Sequence, residues 1–223
     1  MPRAYHMLIS SLPQLPYFER AERLPITPLR LEQRLHMLDP NDAGQLAQAR
    51  PLVGWRGMQW THSSDADVMR QFADLRQGPL NWRLREYIDF RMDQLTTMAA
   101  LRGRACGQDA PVVNEKWGLG GLTRRIALHW NTPDFGLGAQ YRWAQEAAQF
   151  LQAGEATRLE RTLMQAAWQK LSQLAERHPF GFEVVFAFVF KWDMLRAWLT
   201  HNPRAAAERF RQMVLEVTHD GHE

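Results

Sequence analysis

The sequence predicts an all-α fold, an irregular multi-helix bundle, and three observations carry that prediction. Apolar residues recur at three- and four-residue intervals in the long segments, as in Leu84, Tyr87, Ile88, Met92, Leu95, Met98 and Ala99, the period of a helix with one buried face. Helix punctuation divides the chain at Thr27-Pro28, Asp39-Pro40, Gly78-Pro79, Gly154, His178-Pro179 and Asn202-Pro203. Val184–Phe190 has the composition of a buried strand as much as of a helix. A single strand would leave its ladder groups unpaired, so helix is favoured there too.

Taken in order, Tyr5-His6-Met7-Leu8-Ile9 reads as a brief strand or a first helical turn, and Pro13, Pro16 and Pro25 then impose an extended or turning path. Thr27 is an N-cap with Pro28 in the first helical position. Leu29, Leu31, Leu35 and Leu38 give that helix its stripe, and Asp39-Pro40 ends it. A second short helix spans Asp42–Val53 and stops at Gly54 and Gly57. Ser63-Ser64-Asp65-Ala66-Asp67 caps a helix over Val68–Gln77. The longest helix starts near Leu80 and runs to Arg102, stopping at Gly103 or Gly107, with Arg83, Arg85, Glu86, Asp89 and Asp93 on its other faces. Residues 107–138, rich in Gly and Pro, form the loosest segment and hold one short helix at Leu122–Trp130.

Three further helices follow. Ala139–Ala153 carries Trp143, Ala147, Phe150 and Leu151. Ala156–Arg177 has an apolar face close to half its circumference, which calls for two packing neighbours. Phe180–Thr200 contains the seven-residue apolar run. A last amphipathic helix passes through Ala206, Phe210, Met213, Val214 and Val217. The whole, residues 1–223, reads as one helical domain.

Composition narrows the function. With 45% hydrophobic residues in a 223-residue chain, a sizeable core is within reach. The net charge of +3 is a mild bias carried almost entirely by Arg. Without clustering it is no nucleic-acid footprint, although an acidic partner would be weakly attracted. Cys106 is alone, which excludes an internal disulfide or a Cys-based metal site. The opening Met1-Pro2-Arg3-Ala4-Tyr5-His6 lacks the apolar core of a secretory signal. The run Val184–Phe190 is far below the roughly 20 residues that span a bilayer. The expectation is a cytoplasmic protein that meets a membrane only through partners.

No catalytic motif emerges, so the expectation is a non-enzyme with no cofactor and no metal. Gly118-Leu119-Gly120-Gly121-Leu122-Thr123 lacks both the Gly-Lys-Ser/Thr ending of a P-loop and the third Gly of a dinucleotide fingerprint, and reads as a hinge or turn. The eight histidines show no zinc-protease spacing, and His219 and His222 sit in the tail. His62, Asp65 and Asp67 are explained as a helix N-terminus rich in caps and acids. Asp89 and Asp93 lie one turn apart, with Arg85, Arg91 and Arg102 on the same helix offering solvated ion pairing. Asp193 and Arg196, three apart, can pair. Lys191, Trp192 and Arg196 are the candidate partner-binding residues, because Trp and Arg are common interface anchors.

Three blocks resemble a bacterial family that accompanies rotary V/A-type ATPase subunits and is similar to their C (d-like) subunit. They are Tyr5 through Pro13; Phe90-Arg91-Met92 through Leu101-Arg102-Gly103-Arg104-Ala105-Cys106-Gly107; and Trp168 through Trp198, including Phe182 through Lys191 and Arg196-Ala197-Trp198. Phe188 stands where that family is expected to have Tyr, and Ala197 interrupts its Arg-Trp pair. The resemblance implies a C/d-subunit-like helical adaptor between the central shaft and the membrane rotor ring, which transmits torque and does no chemistry. It implies other V/A-type ATPase subunits as partners and a location peripheral to the inner membrane through the complex. The chain is shorter than a usual C subunit, so a reduced subunit and an assembly partner both fit. The alternative from another class is a nucleic-acid-binding protein with Arg-rich helix faces. A third is a hydrolase with a deep pocket.

Overall fold

A computed structural model describes residues 4–55, 65–113 and 117–201. Among them every regular element is helical: nine α-helices and one 3₁₀ turn. The all-α expectation is met, and Val184–Phe190 is helix. Gly57, Ser63-Ser64 and the last helix expected through Val217 lie outside the described residues. Where the sequence suggests one domain, the chain groups into two compact units, Met1–Ser64 with His178–Glu223, and Asp65–Arg177.

The first unit holds α1 (His6–Ser11), the 3₁₀ turn (Phe18–Arg20), α2 (Pro28–Leu35), α3 (Pro40–Val53) and α9 (Phe182–His201). Local chemistry starts α2 and α3. The Thr27 hydroxyl accepts the Arg30 N–H at 3.4 Å, and Asp39 Oδ1 accepts the Asn41 N–H at 3.0 Å. Each cap is followed by Pro, whose missing N–H costs nothing in a first turn. Asp39-Pro40 therefore opens α3 two residues before the expected start. Leu31, Leu35 and Leu38 are buried, whereas Leu29 is exposed, because residues two apart on a helix do not share a face.

The helix α9 is the core of this unit. Phe182, Val185, Phe186, Val189, Phe190, Trp192, Met194 and Leu195 are all buried, covering most of its circumference. Each such side chain contributes about 1.5–3 kcal/mol on burial. A helix satisfies its backbone groups internally, so this sequence can be surrounded without a sheet. The 3₁₀ turn and α3 both pack on α9, and Phe18 meets Trp198 edge-on at 5.1 Å. Tyr5 straps the start of the chain in place. Its N–H donates to the Phe180 carbonyl at 2.7 Å, and its hydroxyl donates to Asp42 and accepts the Asp39 N–H.

One ion pair joins three helices. Arg50 on α3 donates through Nε and Nη2 to the two carboxylate oxygens of Asp193 on α9, both at 2.9 Å, and through Nη1 to Glu32 on α2 at 2.7 Å. The Asp193 side chain is 2% exposed. Burial works against the Arg50 cation, but Asp193 and then Glu32 outweigh it and tighten its hold on the proton. Gly54 ends α3 with no side chain because a Cβ there would stand 2.5 Å from the Arg50 carbonyl and 3.3 Å from Asp193 Oδ2. The sequence expectation that Asp193 pairs with Arg196 is thus corrected: the partner lies 143 residues away.

The second unit holds α4 (Asp65–Gln77), α5 (Trp82–Ala105), α6 (Thr123–Leu128), α7 (Arg142–Gln152) and α8 (Ala156–Glu176). Asn81 caps α5 by accepting the N–H groups of Arg83 and Leu84. The helix ends in a Schellman motif, with Gly107 at φ 81°, its N–H on the Arg104 carbonyl and the Gln108 N–H on the Gly103 carbonyl. Gly103 is therefore inside the helix, and Gly107 is the stop. As its broad apolar face requires, α8 packs on two neighbours, α7 and α5. Leu101, Ile126, Phe135, Leu137, Trp143, Ala147 and Leu159 share the core. Arg91 is buried instead of solvated; its Nη1 donates to Gln94 Oε1 at 2.5 Å, and Gln94 reaches the Leu163 carbonyl on α8.

Truncating one member of a buried pair strands the other charge, at a cost of about 3–5 kcal/mol. Asp193→Ala is expected to lower the unfolding free energy by about 3 kcal/mol in urea titration, the low end because Glu32 still holds Arg50. The double replacement Arg50→Met with Asp193→Leu should cost less than either single truncation.

Candidate functional site

The three sequence candidates on α9 do not form one exposed patch. Trp192 is fully buried, and its indole N–H donates to the Ile26 carbonyl at 2.9 Å. Two guanidiniums lie over the ring, Arg50 at 5.8 Å and Arg196 at 5.9 Å from its centroid. Arg196 is exposed and Lys191 is half-buried. The structure thus brings Trp192 and Arg196 together, but the aromatic is core and the cation is its cover. A buried indole needs an acceptor, and a backbone carbonyl supplies it.

The glycine segment is pinned to α5. Thr96 Oγ1 donates to the Leu119 carbonyl at 2.7 Å and accepts the Leu119 N–H at 2.9 Å. Asp93 Oδ1 accepts the N–H groups of Gly121, at 2.6 Å, and Leu122, at 3.1 Å. Gly120 is at φ 88°, and a Cβ there would strike the Asp93 carboxylate. The two N–H groups just ahead of α6, which starts at Thr123, thus face an internal carboxylate. Burial pushes the Asp93 carboxyl above its usual range and Asp89 adds to the push, while the two backbone donors oppose it.

The remaining candidates stay apart. Asp67 pairs with Arg70 at 3.5 Å, while His62, the Asp65 side chain, His219 and His222 lie outside the described residues. Cys106 is exposed just beyond α5. Among the described residues no group of three His, Cys, Asp or Glu could hold a metal ion, and no helix is long and apolar enough to cross a membrane.

A different surface carries an exposed aromatic that sequence reasoning did not single out. Trp82, the first residue of α5, is 58% exposed, and the Arg83 guanidinium lies 3.5 Å from its ring centroid. Arg83 is buried and donates to Glu86 at 3.0 Å; Lys170 on α8 donates to the other Glu86 oxygen at 2.6 Å. Burial would raise the Glu86 carboxyl, but Lys170 and then Arg83 outweigh it and hold it below its usual range. The chain Lys170–Glu86–Arg83 therefore fixes a cation against one exposed indole. The sequence signal was available: Gly78-Pro79 and the Asn81 cap place Trp82 at the first helical position, where little helix surrounds a side chain.

Residues 59–221, well over half of the chain, match the family described as "Protein of unknown function (DUF2764)". No curated protein and no solved structure matches.

Two pH profiles follow. The folded-state pKa of Asp93 is raised, so its contribution to stability is present below the unfolded pKa and is lost as pH rises through the folded value. Asp93→Asn keeps a carbonyl for both N–H groups, and wild type should lose stability relative to it as pH rises above the ordinary Asp range of about 4. Glu86 has the opposite sign: its depressed pKa gives stability above the unfolded value that is lost as pH falls through the folded one. Because Glu86 is 37% exposed, solvent screening holds the effect of Glu86→Gln at pH 7 to about 0.5–1 kcal/mol. That difference should vanish in acid when thermal unfolding is followed against pH.

Proposed function

The chain belongs to this family of unknown function, and we propose that it is a non-catalytic helical adaptor, a C- or d-like subunit of a bacterial V/A-type rotary ATPase. In this role it links the central shaft to the membrane rotor ring, on the cytoplasmic side and peripheral to the inner membrane. The assembly is suggested by the resemblance of the three sequence blocks. The adaptor role is supported most by Trp82, an exposed indole pre-positioned on a buried guanidinium. Trp and Arg dominate interface hot spots, and a side chain already held still loses little freedom on docking.

The strained electrostatics point the same way. Arg50, Glu86, Asp93 and Arg104 are shifted from their usual ranges, and each is engaged in joining helices or holding loops. A torque-bearing body needs such cross-ties.

The test is affinity purification of the full chain from its native host. Shaft and rotor-ring subunits are expected to co-purify, and Trp82→Ala should cut their recovery at least tenfold, since a hot-spot truncation costs about 2 kcal/mol or more. An intact rotary complex recovered without this chain overturns the reading. Steep salt dependence of binding to DNA or RNA would replace it with nucleic-acid recognition.

A further inference from the structure

One face of α5 opens onto solvent at its Trp82 end. Trp82, Arg85, Glu86 and Asp89 follow at i, i+3, i+4 and i+7, the spacing that sets side chains in one row on a helix. Two neighbouring helices flank the row. Arg76, in the last turn of α4, stands 3.7 Å from Asp89, and Lys170 on α8 donates to Glu86 at 2.6 Å. Arg85 belongs to the α4 side, since its Nη2 donates to the Arg76 carbonyl at 3.5 Å. Arg83 lies against the Trp82 ring and donates to Glu86. The patch therefore holds four cations, Arg76, Arg83, Arg85 and Lys170, and the carboxylates in contact with them are Glu86 and Asp89.

These cations are unequally engaged. Glu86 receives Arg83 at one oxygen and Lys170 at the other, so both partners are spent. Arg76 and Arg85 are held loosely. The contact of Arg76 with Asp89 lies beyond hydrogen-bond reach, and its guanidinium otherwise rests 5.5 Å from the Phe72 ring centroid. Arg85 makes one long bond to a carbonyl and meets no carboxylate among the described residues. Each guanidinium presents a planar fork of N–H donors that matches a carboxylate, and bonds between the two are the strong, charge-assisted kind.

Charge complementarity selects the occupant. Surplus positive charge beside an exposed indole suits a surface that carries carboxylates around an apolar side chain. A nucleic-acid strand fits less well, because Glu86 and Asp89 stand in the same row as Trp82 and Arg85 and would repel phosphates laid along it. A protein segment can place its carboxylates singly, opposite the two loosely held arginines. We propose that this face docks an acidic segment of a partner protein, whose carboxylates pair with Arg76 and Arg85 while an apolar side chain covers Trp82. This docking mode rests on the reading of Trp82 as an interface anchor and adds the chemistry of what meets it.

The test pans the immobilised full-length chain with a phage-displayed library of random peptides, then measures the affinity of enriched peptides by fluorescence anisotropy. Peptides rich in Asp and Glu should be enriched. Arg76→Gln/Arg85→Gln and Trp82→Ala should each weaken them about tenfold or more. Raising salt from about 50 to about 300 mM should weaken wild type about fivefold or more. Arg142→Gln/Arg158→Gln, which neutralises two exposed arginines on α7 and at the start of α8, should leave affinity unchanged. Arg76 and Arg85 are not core residues, so far-UV circular dichroism should show their double variant folded. If it is unfolded, Arg76→Lys/Arg85→Lys, which keeps both charges and loses the planar fork, must weaken binding about threefold or more. No enrichment, enrichment of neutral or basic peptides, undiminished affinity in the Arg76 and Arg85 variants, or indifference to salt would each overturn the proposal. Equal loss in the Arg142 and Arg158 variant would overturn it too, as would tighter binding of a single-stranded oligonucleotide or of phosphatidylserine vesicles through Arg76 and Arg85. If no acidic peptide binds while rotary subunits still co-purify through Trp82, the charge inference falls and the adaptor reading stands. If acidic peptides bind through Trp82, Arg76 and Arg85 while no rotary subunit is recovered, the docking face stands and the rotary assignment falls.

Discussion

A carboxylate buried deep in a helix core needs a strong answering group, and for Asp193 on α9 that group is the Arg50 guanidinium. The two-pronged contact at 2.9 Å fixes where α3 lies on α9, and the third arm to Glu32 brings α2 into the same arrangement. Trp192, one residue before Asp193, sends its N–H to Ile26 in the segment before α2. The polar atoms of α9 thus specify which parts of the N-terminal region meet it. The apolar atoms supply the bulk of the free energy and discriminate far less between one packing and another.

In the second unit the organising element is α5, and it works by a related rule. Loops are tolerated against a helix only if their backbone groups are answered. Asp93, Thr96 and Arg104 on α5 answer seven such groups between them: two N–H groups, a carbonyl with its N–H, and three carbonyls. The Gly/Pro-rich stretch read as the loosest part of the sequence is therefore held at several points where it is described. Its glycines serve close approach: Gly120 lies at positive φ against a carboxylate, and a Cβ on Gly118 would come within 2.6 Å of the Thr96 methyl.

What the sequence made legible was local. Thr27-Pro28 announced α2 because a cap and its proline act within one turn, and the broad stripe on α8 announced two neighbours because its width is a property of α8 alone. The helical state of Val184–Phe190 followed from the lack of strands to pair with. The interactions that fix packing were not legible, because they join residues far apart: Arg50 to Asp193 across 143 positions, and Lys170 to Glu86 across 84. Burial was misjudged for the same reason. Arg91 is buried where solvent was expected, and Trp192 is core where a partner-binding residue was expected. Nothing in an isolated Trp states which side of a helix its neighbours will cover.

The first unit is assembled from both ends of the chain, whereas the second is one uninterrupted stretch, and this sets an order for synthesis. As the polypeptide leaves the ribosome, all of Asp65–Arg177 is available before any of α9 exists. The N-terminal helices must meanwhile wait with Phe18 lacking Trp198 and Arg50 lacking Asp193, and closing their contacts then means bridging a stretch of more than a hundred residues. The entropic toll of that length grows only logarithmically. The delay is the heavier burden, because translation at about 5–20 residues per second leaves apolar surface open to chaperones or to aggregation for seconds.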